Sequence, residues 1–312
     1  MKLSILFHGP LTSNELLGIE RSVSVIKEFD KNSNIEIIVA TWSSYRSISI
    51  VGVDKFIYSE DVDSFTPPGF KPCNVHRIIK LAKIGLLNAK NELIVRLRSD
   101  LEIVNMKDLV MICKQSTSKG HLFNRKVVAI DYSTIDPMRF QIQLPYHVCD
   151  WIHIGFKTDL LQIFEVPLPE VNFYSKYIND KRINELGEYI EALRSETYLT
   201  AFVIRNSFWK KMVTENKISH FQKISSNIRI LKDFKIINIE NAGLKSNKHP
   251  TNNFDPNRLT PIGYNVWSLQ FNSKYPKTLR RFVLKLYYSL YSYYKFHFVL
   301  KYFLKSIIYP SK

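Results

Sequence analysis

The chain has 312 residues, of which 45% are hydrophobic and 13% aromatic, and this is enough apolar material for one large domain, with or without a tail. The 44 Lys and Arg residues outnumber the 28 Asp and Glu residues, which gives a formal charge of +16 and indicates an anionic partner or surface. The three cysteines are scattered, which argues against a disulfide framework. The sequence shows no visible secretory signal, and it has no apolar run long enough to predict a transmembrane helix. These features favour the cytoplasm.

Strand and helix patterns alternate along the first hundred residues. The strand candidates are residues 2–7, 35–42, 55–59 and 92–97, and the helix candidates are residues 12–29 and 74–91. The run IEIIVATW is continuously apolar, which is typical of a strand buried on both faces. Short links between these segments predict a sheet of mainly parallel strands that is covered by helices.

The middle of the chain continues this mixture. Strand patterns cover residues 125–132 and 147–156, and helix patterns cover residues 157–164, 183–193 and 195–209. Residues 240–275 are rich in Asn, Pro and Lys, and we expect them to form irregular surface chain.

The last part of the chain differs from the rest in composition. From Lys274 to Lys312 there are nine Lys and Arg residues and no Asp or Glu, among many Tyr and Phe residues. We therefore divide the chain into a main domain over residues 1–270 and a basic, aromatic, helical tail over residues 271–312.

The segment VRLRSDLEI ends a buried strand on Arg98, Ser99 and Asp100. In open α/β sheets, ligands bind outside the carboxyl ends of the strands. A carboxylate there can hold a divalent cation that neutralises a diphosphate, and an arginine can bind phosphate oxygens through two parallel hydrogen bonds. The alternative is structural: Asp100 caps the following segment and Arg98 forms a surface ion pair.

Common motifs of other enzyme classes are missing from the sequence. There is no G-x-G-x-x-G and no G-x-x-x-x-G-K-[ST], which argues against a conventional dinucleotide enzyme and a Walker NTPase. There is also no G-x-S-x-G, no H-E-x-x-H and no Cys/His zinc spacing. A serine hydrolase and a zinc enzyme are therefore unsupported.

Several segments together resemble the WavE family of lipopolysaccharide-synthesis proteins. They are ILFHGPLTSNE, IEIIVATWSS, NVHRIIKLAKIGLLNAKN, VRLRSDLEI, CDWIHIGFKTDL, PLPE and SETYLTAFV, which follow the family's order over about residues 1–205. His8 stands where the family often has Gln, and His76 and Ile78 depart from its Asn-x-Asn-Arg-Gln motif. The chain is therefore similar to a divergent member with a different donor or acceptor.

This resemblance implies a GT-A-like, Rossmann-like α/β fold with a nucleotide-binding sheet. It also implies a glycosyltransferase that moves a sugar from a nucleotide-sugar donor to a lipopolysaccharide, O-antigen or capsule-type acceptor. Arg98-Ser99-Asp100 then corresponds to a reduced D-x-D motif, in which Asp100 is the residue that would hold Mg²⁺ or Mn²⁺. The residues expected to bind the donor are His8, Gly9, Pro10, Trp42, Asn74, Arg77, Arg98 and Asp100.

Some of these residues also have a structural interpretation. A glycine at position 9 lets the backbone approach a nucleotide, or simply forms a tight turn. Asn74 is a good N-cap for the helix that follows it. His8 is a lone histidine at a strand end, and such residues are more often structural than catalytic.

An inverting sugar transfer needs a carboxylate that takes the proton of the acceptor hydroxyl. We expect Glu196 to be this general base and Asp150 to be its competitor. Ser195-Glu196-Thr197 is also an ordinary helix start, because acidic residues favour that end of a helix.

The tail has two main interpretations. Acid-free helices rich in Lys, Arg and aromatic residues lie in the headgroup layer of anionic membranes, and basic residues interleaved with aromatics can also bind single-stranded nucleic acid. We expect residues 274–312 to hold the protein on the inner face of the bacterial inner membrane and expect no nucleic-acid partner, since the apolar content is too high for a solvated nucleic-acid surface. A helical hairpin packed on the main domain is a third option.

Two other function classes remain open from the sequence. One is a non-enzymatic protein that binds a membrane surface or nucleic acid through its charge alone. The other is a transferase of a different nucleotide-activated donor, such as a polyol phosphate.

Overall fold

The structure is a computed structural model. It describes residues 1–62, 74–115, 118–131, 134, 146–168, 198–204, 226, 229–230, 232–237 and 239–247. All of these belong to one compact unit, Met1–Leu259. The predicted helix over residues 183–193 and the tail over residues 271–312 lie outside the described residues, so the division into domain and tail stays a prediction.

The described residues form nine strands and four α-helices. The strands are β1 (Leu3–His8), β2 (Ile35–Trp42), β3 (Lys55–Ser59), β4 (Leu93–Arg98), β5 (Leu101–Ile103), β6 (Val127–Ile130), β7 (Ile152–Phe156), β8 (Phe234–Ile237) and β9 (Leu244–Ser246). The α-helices are α1 (Ser13–Phe29), α2 (Val75–Asn88), α3 (Met106–Gln115) and α4 (Lys157–Phe164), and short 3₁₀ turns occupy Ser43–Tyr45 and Glu240–Ala242. Residues 198–204 are also helical.

Seven of the described strands form one sheet in the order β3-β2-β1-β4-β7-β6-β8. Strands β3, β2, β1 and β4 run parallel to one another, and β6 is parallel to β8. Strand β7 runs antiparallel to both β4 and β6. The predicted α/β class, with a mainly parallel sheet covered by helices, is confirmed. The order of the strands places the carboxyl ends of β2, β1 and β4 side by side.

The two faces of the central strands bury different groups, because successive side chains of a strand point in opposite directions. One face contributes Ile5, Phe7, Val95 and Leu97 to a core that includes residues of α1 and α3. On the other face, Leu6 lies so close to α2 that a Cβ added at Gly85 would be 2.5 Å from it. All six residues of β1 are buried, which explains why four of them are large apolar residues and the strand has no exposed polar face.

The region predicted to be irregular surface chain over residues 240–275 contains a short strand at its start. Strand β9 pairs antiparallel with β5, which directly follows the Arg98-Ser99-Asp100 turn. The prediction is therefore wrong for Leu244–Ser246, because three residues are too few for a recognisable alternation and their pairing partner is far away in sequence. Most of the remainder of this region lies outside the described residues.

Candidate functional site

A cavity of about 370 Å³ lies where strands β1, β2 and β4 end, and this volume is within the usual range for ligand pockets. Its walls are formed by His8, Gly9, Pro10, Glu15, Trp42, Tyr45, Asp61, Asn74, Arg77, Ile78, Leu81, Arg98, Ser99 and Asp100. All eight residues that the sequence predicts to bind a donor are among them. Their roles are not tested by this placement, but the structure brings them to one site.

The strand register explains why residues so far apart in sequence meet here. His8, the last residue of β1, is aligned with Ala40 of β2 on one side and with Arg98 of β4 on the other. The amide of Ser99 donates a hydrogen bond to the carbonyl of His8 at 2.9 Å, which continues the pairing past the end of β4. Parallel neighbours thus deliver their final side chains to a single edge of the sheet.

Gly9 has a structural reason to be glycine. Its φ is +139°, and a Cβ at this position would lie 2.4 Å from Oγ of Ser99. Its carbonyl accepts a hydrogen bond from the hydroxyl of Thr41 at 2.8 Å. The glycine therefore permits the tight packing between the ends of β1 and β4, in addition to lining the cavity.

Arg98 and Asp100 form a side-on ion pair at the cavity wall. Nε of Arg98 donates to Oδ1 of Asp100 at 3.0 Å, and Nη2 donates to Oδ2 at 2.5 Å. The guanidinium also lies 5.1 Å from the ring centre of Trp151, and its Nη1 is 3.9 Å from Oδ1 of Asp150. The Arg98 side chain is only 26% exposed, so this is not the surface ion pair of the structural interpretation.

Arg77 and Asp61 form a second pair of the same geometry. Nε of Arg77 donates to Oδ1 of Asp61 at 2.9 Å, and Nη2 donates to Oδ2 at 2.6 Å. Nε also donates to the carbonyl of Val62 at 3.0 Å. Two guanidinium groups of the cavity wall are thus each held by a carboxylate that lies in the same wall.

The amino-terminal end of α2 also borders the cavity. Asn74 occupies the N-cap position as predicted, but its side chain makes no capping hydrogen bond, and the first turn contains no acidic residue. Asn74, Arg77 and Ile78 from this end all line the cavity. Because the amides of a first helical turn carry partial positive charge, this end favours an anionic ligand.

The divalent cation predicted at Asp100 does not fit this arrangement. Mg²⁺ and Mn²⁺ bind carboxylate oxygens, but the guanidinium of Arg98 donates to both oxygens of Asp100 and places a positive charge where the cation would bind. The first acid of a D-x-D motif is replaced by Arg98 itself. Among the residues that the structure describes, no three His, Cys, Asp or Glu side chains are grouped as metal ligands would be.

Strand β4 also carries a buried arginine, Arg96, that does not line the cavity. Arg96 is fully buried, donates to the carbonyl of Asp150, and lies 3.4 Å from Nδ1 of His153 and 4.7 Å from the ring centre of Phe164. Burial lowers the pKa of Arg96 to about 9. Burial, followed by the nearby guanidinium groups, lowers the pKa of His8 well below its ordinary value, so its imidazole is neutral at neutral pH.

Glu15 is a cavity residue that the sequence analysis did not select. It lies in the first turn of α1, and its Oε2 is buried without a hydrogen-bond partner among the described residues. The place of Glu15 in the sequence could have identified it. Because α1 begins shortly after β1 ends, its first turn must lie near the carboxyl edge of the sheet. Asp61 was missed for another reason, since it follows β3 in a segment with no recognisable pattern.

Of the two predicted general bases, only Asp150 is among the described residues, and it does not line the cavity. Asp150 is 1% exposed and lies beside Arg96 and Arg98, whereas Glu196 lies outside the described residues. Both catalytic roles stay predictions.

Within the described ranges, no helix has the length and apolar character needed to cross a membrane.

The fold and the cavity define an α/β protein with a cavity at the carboxyl edge of a mainly parallel sheet. The cavity is bordered by two arginines paired with carboxylates and by a helix amino terminus. More particularly, the chain belongs to the WavE lipopolysaccharide synthesis family, whose model matches residues 3–296. The family resemblance read from the sequence is thereby confirmed. No curated protein matches the sequence.

Some solved structures share part of the chain path. The galactosyltransferase LgtC in complex with donor and acceptor sugar analogs is 10% identical, with 59% of this chain and 65% of that chain covered and a TM-score of 0.32. S. aureus TarS is 17% identical, with 44% and 22% covered and a TM-score of 0.25. Glucosyl-3-phosphoglycerate synthase from Mycobacterium tuberculosis, in complex with Mn²⁺, UDP and glucosyl-3-phosphoglycerate, is 14% identical, with 60% and 67% covered and a TM-score of 0.33. The matches span less than two thirds of the first two of these proteins.

Proposed function

We propose that the protein is a GT-A-like glycosyltransferase that moves a sugar from a nucleotide-sugar donor to a lipopolysaccharide, O-antigen or capsule-type acceptor. The observation that carries the proposal is the cavity at the carboxyl edge, which collects all eight residues expected to bind the donor. Membership of a lipopolysaccharide synthesis family supports the same class of acceptor.

The charges of the cavity support a place for the donor diphosphate near Arg98, Arg77 and the start of α2. Guanidinium groups bind phosphate oxygens well, because their planar N–H donors match the spacing of those oxygens. Trp42 ends β2 and Tyr45 lies in the 3₁₀ turn that follows it, and their rings offer apolar surface to the base or the sugar. Ligand pockets commonly combine such apolar walls with a few polar groups.

The proposed reaction is a single displacement. The acceptor hydroxyl oxygen attacks the anomeric carbon, the bond from that carbon to the diphosphate oxygen breaks, and the nucleoside diphosphate leaves with the electron pair. Glu196 takes the hydroxyl proton as general base. One displacement at the anomeric carbon inverts its configuration, so the proposed transfer is inverting. Asp150 is the alternative base, although its contacts with Arg98 and burial support a role in holding that arginine.

The direct test is nucleotide binding and turnover by the full chain. UDP-, GDP-, CMP- and dTDP-sugars are screened by thermal shift, and released nucleotide is identified with a membrane glycolipid extract as acceptor. We expect one donor to stabilise the protein and to yield free nucleotide only when the extract is present. If no nucleotide stabilises the protein, a non-enzymatic protein that acts through its charge becomes the better description.

Adding CDP-polyols to the same assay tests for the rival transferase of polyol phosphate. A nucleoside diphosphate sugar releases a nucleoside diphosphate on sugar transfer, whereas a CDP-polyol releases CMP when polyol phosphate is transferred.

Two matched variants test whether the nucleotide binds in the cavity. Asn74→Trp adds bulk at the cavity wall and should abolish the thermal shift, whereas Asn88→Trp, at the exposed far end of α2, should leave it intact.

We also propose that residues 274–312 attach the protein to the inner face of the bacterial inner membrane. Each Lys or Arg near an anionic surface contributes about 1 kcal/mol. If this segment is helical as predicted, a rotation of about 100° per residue would place Lys277, Arg281, Lys285 and Lys295 on one face. Replacing these four by Gln in the full chain should reduce pelleting with phosphatidylserine vesicles, whereas the same change at exposed Lys2, Lys31, Lys90 and Lys119 should not. Equal pelleting of both variants would reject the attachment.

A further inference from the structure

We infer that Arg98 and Arg77 form a two-arginine clamp for the donor diphosphate, that Asp100 and Asp61 position these arginines, and that donor binding needs no divalent cation. The inference rests on the proposed function and specifies how its leaving group is held. It also gives Asp61 a role that the sequence did not suggest.

The first step is the repeated geometry. In both pairs, Nε and Nη2 of the arginine donate to the two oxygens of one carboxylate, at 2.5–3.0 Å. All four side chains line the same cavity. A guanidinium carries five N–H donors, and a side-on carboxylate takes two of them while fixing the plane of the group. Two such pairs in one wall therefore present two oriented guanidinium groups to a ligand.

The second step is the fixed position of Arg98. In addition to its pair with Asp100, the guanidinium of Arg98 lies 5.1 Å from the ring centre of Trp151, and its Nη1 lies 3.9 Å from Oδ1 of Asp150. Contacts with two carboxylates and an aromatic face restrict a long side chain that otherwise loses much rotamer entropy on binding. An arginine restricted in this way is preorganised for a phosphate, since less conformational freedom is lost when the ligand arrives.

The third step concerns Asp100. Each oxygen of this carboxylate accepts one hydrogen bond from Arg98 at 2.5–3.0 Å, and the side chain is only 7% exposed. Lone pairs remain on both oxygens, but the positive charge of the guanidinium beside them repels a divalent cation, so a cation at Asp100 would have to displace Arg98. Holding the arginine and binding a metal are therefore competing uses, and the observed hydrogen bonds favour the first.

The experiment is isothermal titration of the full chain with UDP, GDP, CDP and dTDP, in EDTA and in buffer with Mg²⁺ or Mn²⁺. We expect the preferred nucleotide to bind in EDTA with an affinity within about threefold of that in metal. Arg98→Lys and Arg77→Lys should each weaken binding about tenfold or more, because lysine cannot form the two parallel hydrogen bonds. Arg21→Lys is the matched control, since Arg21 donates from the same two nitrogens to Glu102 but does not line the cavity.

Asparagine and alanine at position 100 distinguish the positioning role from a metal-ligand role. Asp100→Asn keeps an oxygen that accepts a hydrogen bond from Arg98, so binding in EDTA should persist, whereas Asp100→Ala should weaken it. If Asp100 were a metal ligand, both variants would lose nucleotide binding, and binding by the wild type would depend on Mg²⁺ or Mn²⁺. Binding only in the presence of metal would overturn the clamp and leave the glycosyltransferase proposal standing.

Two further outcomes are decisive. If no nucleotide binds in either buffer, the proposed function fails and the clamp fails with it. If urea unfolding shows that Arg98→Lys does not fold, Arg77→Lys still decides the question, because the Arg77 side chain is 34% exposed and its replacement is less disruptive. Unchanged affinity in a folded Arg77→Lys protein would reject the clamp.

Discussion

Arg98 and Asp100 are two residues apart in sequence, yet their side chains meet in a side-on pair at the end of strand β4. In a straight strand these side chains would point to the same face but lie well apart along it. They meet because the chain turns after Arg98, and the backbone of Asp100 is held by Asn247, whose amide donates to its carbonyl at 3.0 Å. The turn thus converts a strand end into an ion pair at the cavity wall.

The first prediction concerns the stability of this pair. The Asp100 side chain is 7% exposed and that of Arg98 is 26% exposed, so Asp100→Asn should lower the free energy of unfolding by about 1–3 kcal/mol. Asp61→Asn breaks a pair of the same geometry in which both side chains are at least one third exposed, and it should cost about 0.2–1 kcal/mol. Urea unfolding measures both values. Equal losses would show that burial does not distinguish the pairs.

The second prediction concerns Gly9. Its φ is positive, and a methyl group added at its Cα would lie 2.4 Å from Oγ of Ser99. Gly9→Ala should therefore cost about 2–4 kcal/mol in the free energy of unfolding, measured in urea. Gly155→Ala is the control, because a Cβ there would meet nothing closer than 3.3 Å, at the flexible end of Leu160. That change should cost about 1 kcal/mol or less.

A double variant separates the two causes at Gly9. Ser99→Gly removes the hydroxyl that a new methyl group would strike, so Gly9→Ala should be less costly in that background. The cost that remains is the strain of the positive φ. If the two changes are strictly additive, the close approach to Ser99 does not explain the glycine.

The cavity could be located from sequence because its walls come from strand ends. Largely apolar segments predicted β1, β2 and β4 as strands, and parallel strands with short links end at a common edge. His8, Trp42 and Arg98 are the last residues of these three strands, so their meeting follows from the pattern of burial alone. The family motifs selected the same positions independently.

The rest of the site depends on contacts that sequence patterns do not contain. Asp61 reaches Arg77 from sixteen residues away across an irregular segment, and β9 returns to pair with β5 from more than a hundred residues away. The direction of β7 was likewise undetermined, because a short apolar run reads the same in a parallel and an antiparallel neighbour. Such long-range pairings are decided by the whole fold.

The third prediction concerns Glu15. Its Oε2 is buried in the cavity wall without a hydrogen-bond partner among the described residues, which destabilises the protein without ligand. Glu15→Gln should therefore raise the free energy of unfolding by about 0.5–1.5 kcal/mol. If a ribose hydroxyl or a base N–H of the donor pairs with this oxygen, the same change should weaken nucleotide binding about tenfold.

Glu20→Gln is the matched control for this prediction, because Glu20 is an exposed residue of the same helix. It should change neither unfolding in urea nor nucleotide affinity measured by titration calorimetry. A Glu15→Gln protein that binds nucleotide as tightly as the wild type would show that this carboxylate does not contact the donor.

The fourth prediction concerns pH. Burial, and then the positive charge of Arg96, lowers the pKa of His153 well below its ordinary value, and the pKa of His8 is lowered for the same main reason. In the unfolded chain both imidazoles have a pKa of about 6.5. Below that pH the unfolded chain binds protons that the folded protein does not, so the stability present above pH of about 6.5 is lost as the pH falls.

Each of these histidines should contribute a slope of up to about 1.4 kcal/mol per pH unit, so the two together approach twice that value. Urea unfolding at several pH values between neutral and mildly acidic conditions measures the slope. His153→Phe removes one of the two titrating groups and keeps a ring beside Phe164 and Phe234, so its slope should fall by about half. The exposed His121 provides the control, and His121→Phe should leave the slope unchanged. A wild-type stability that is flat over this range would mean that the two imidazoles are protonated in the folded protein or are not buried as described.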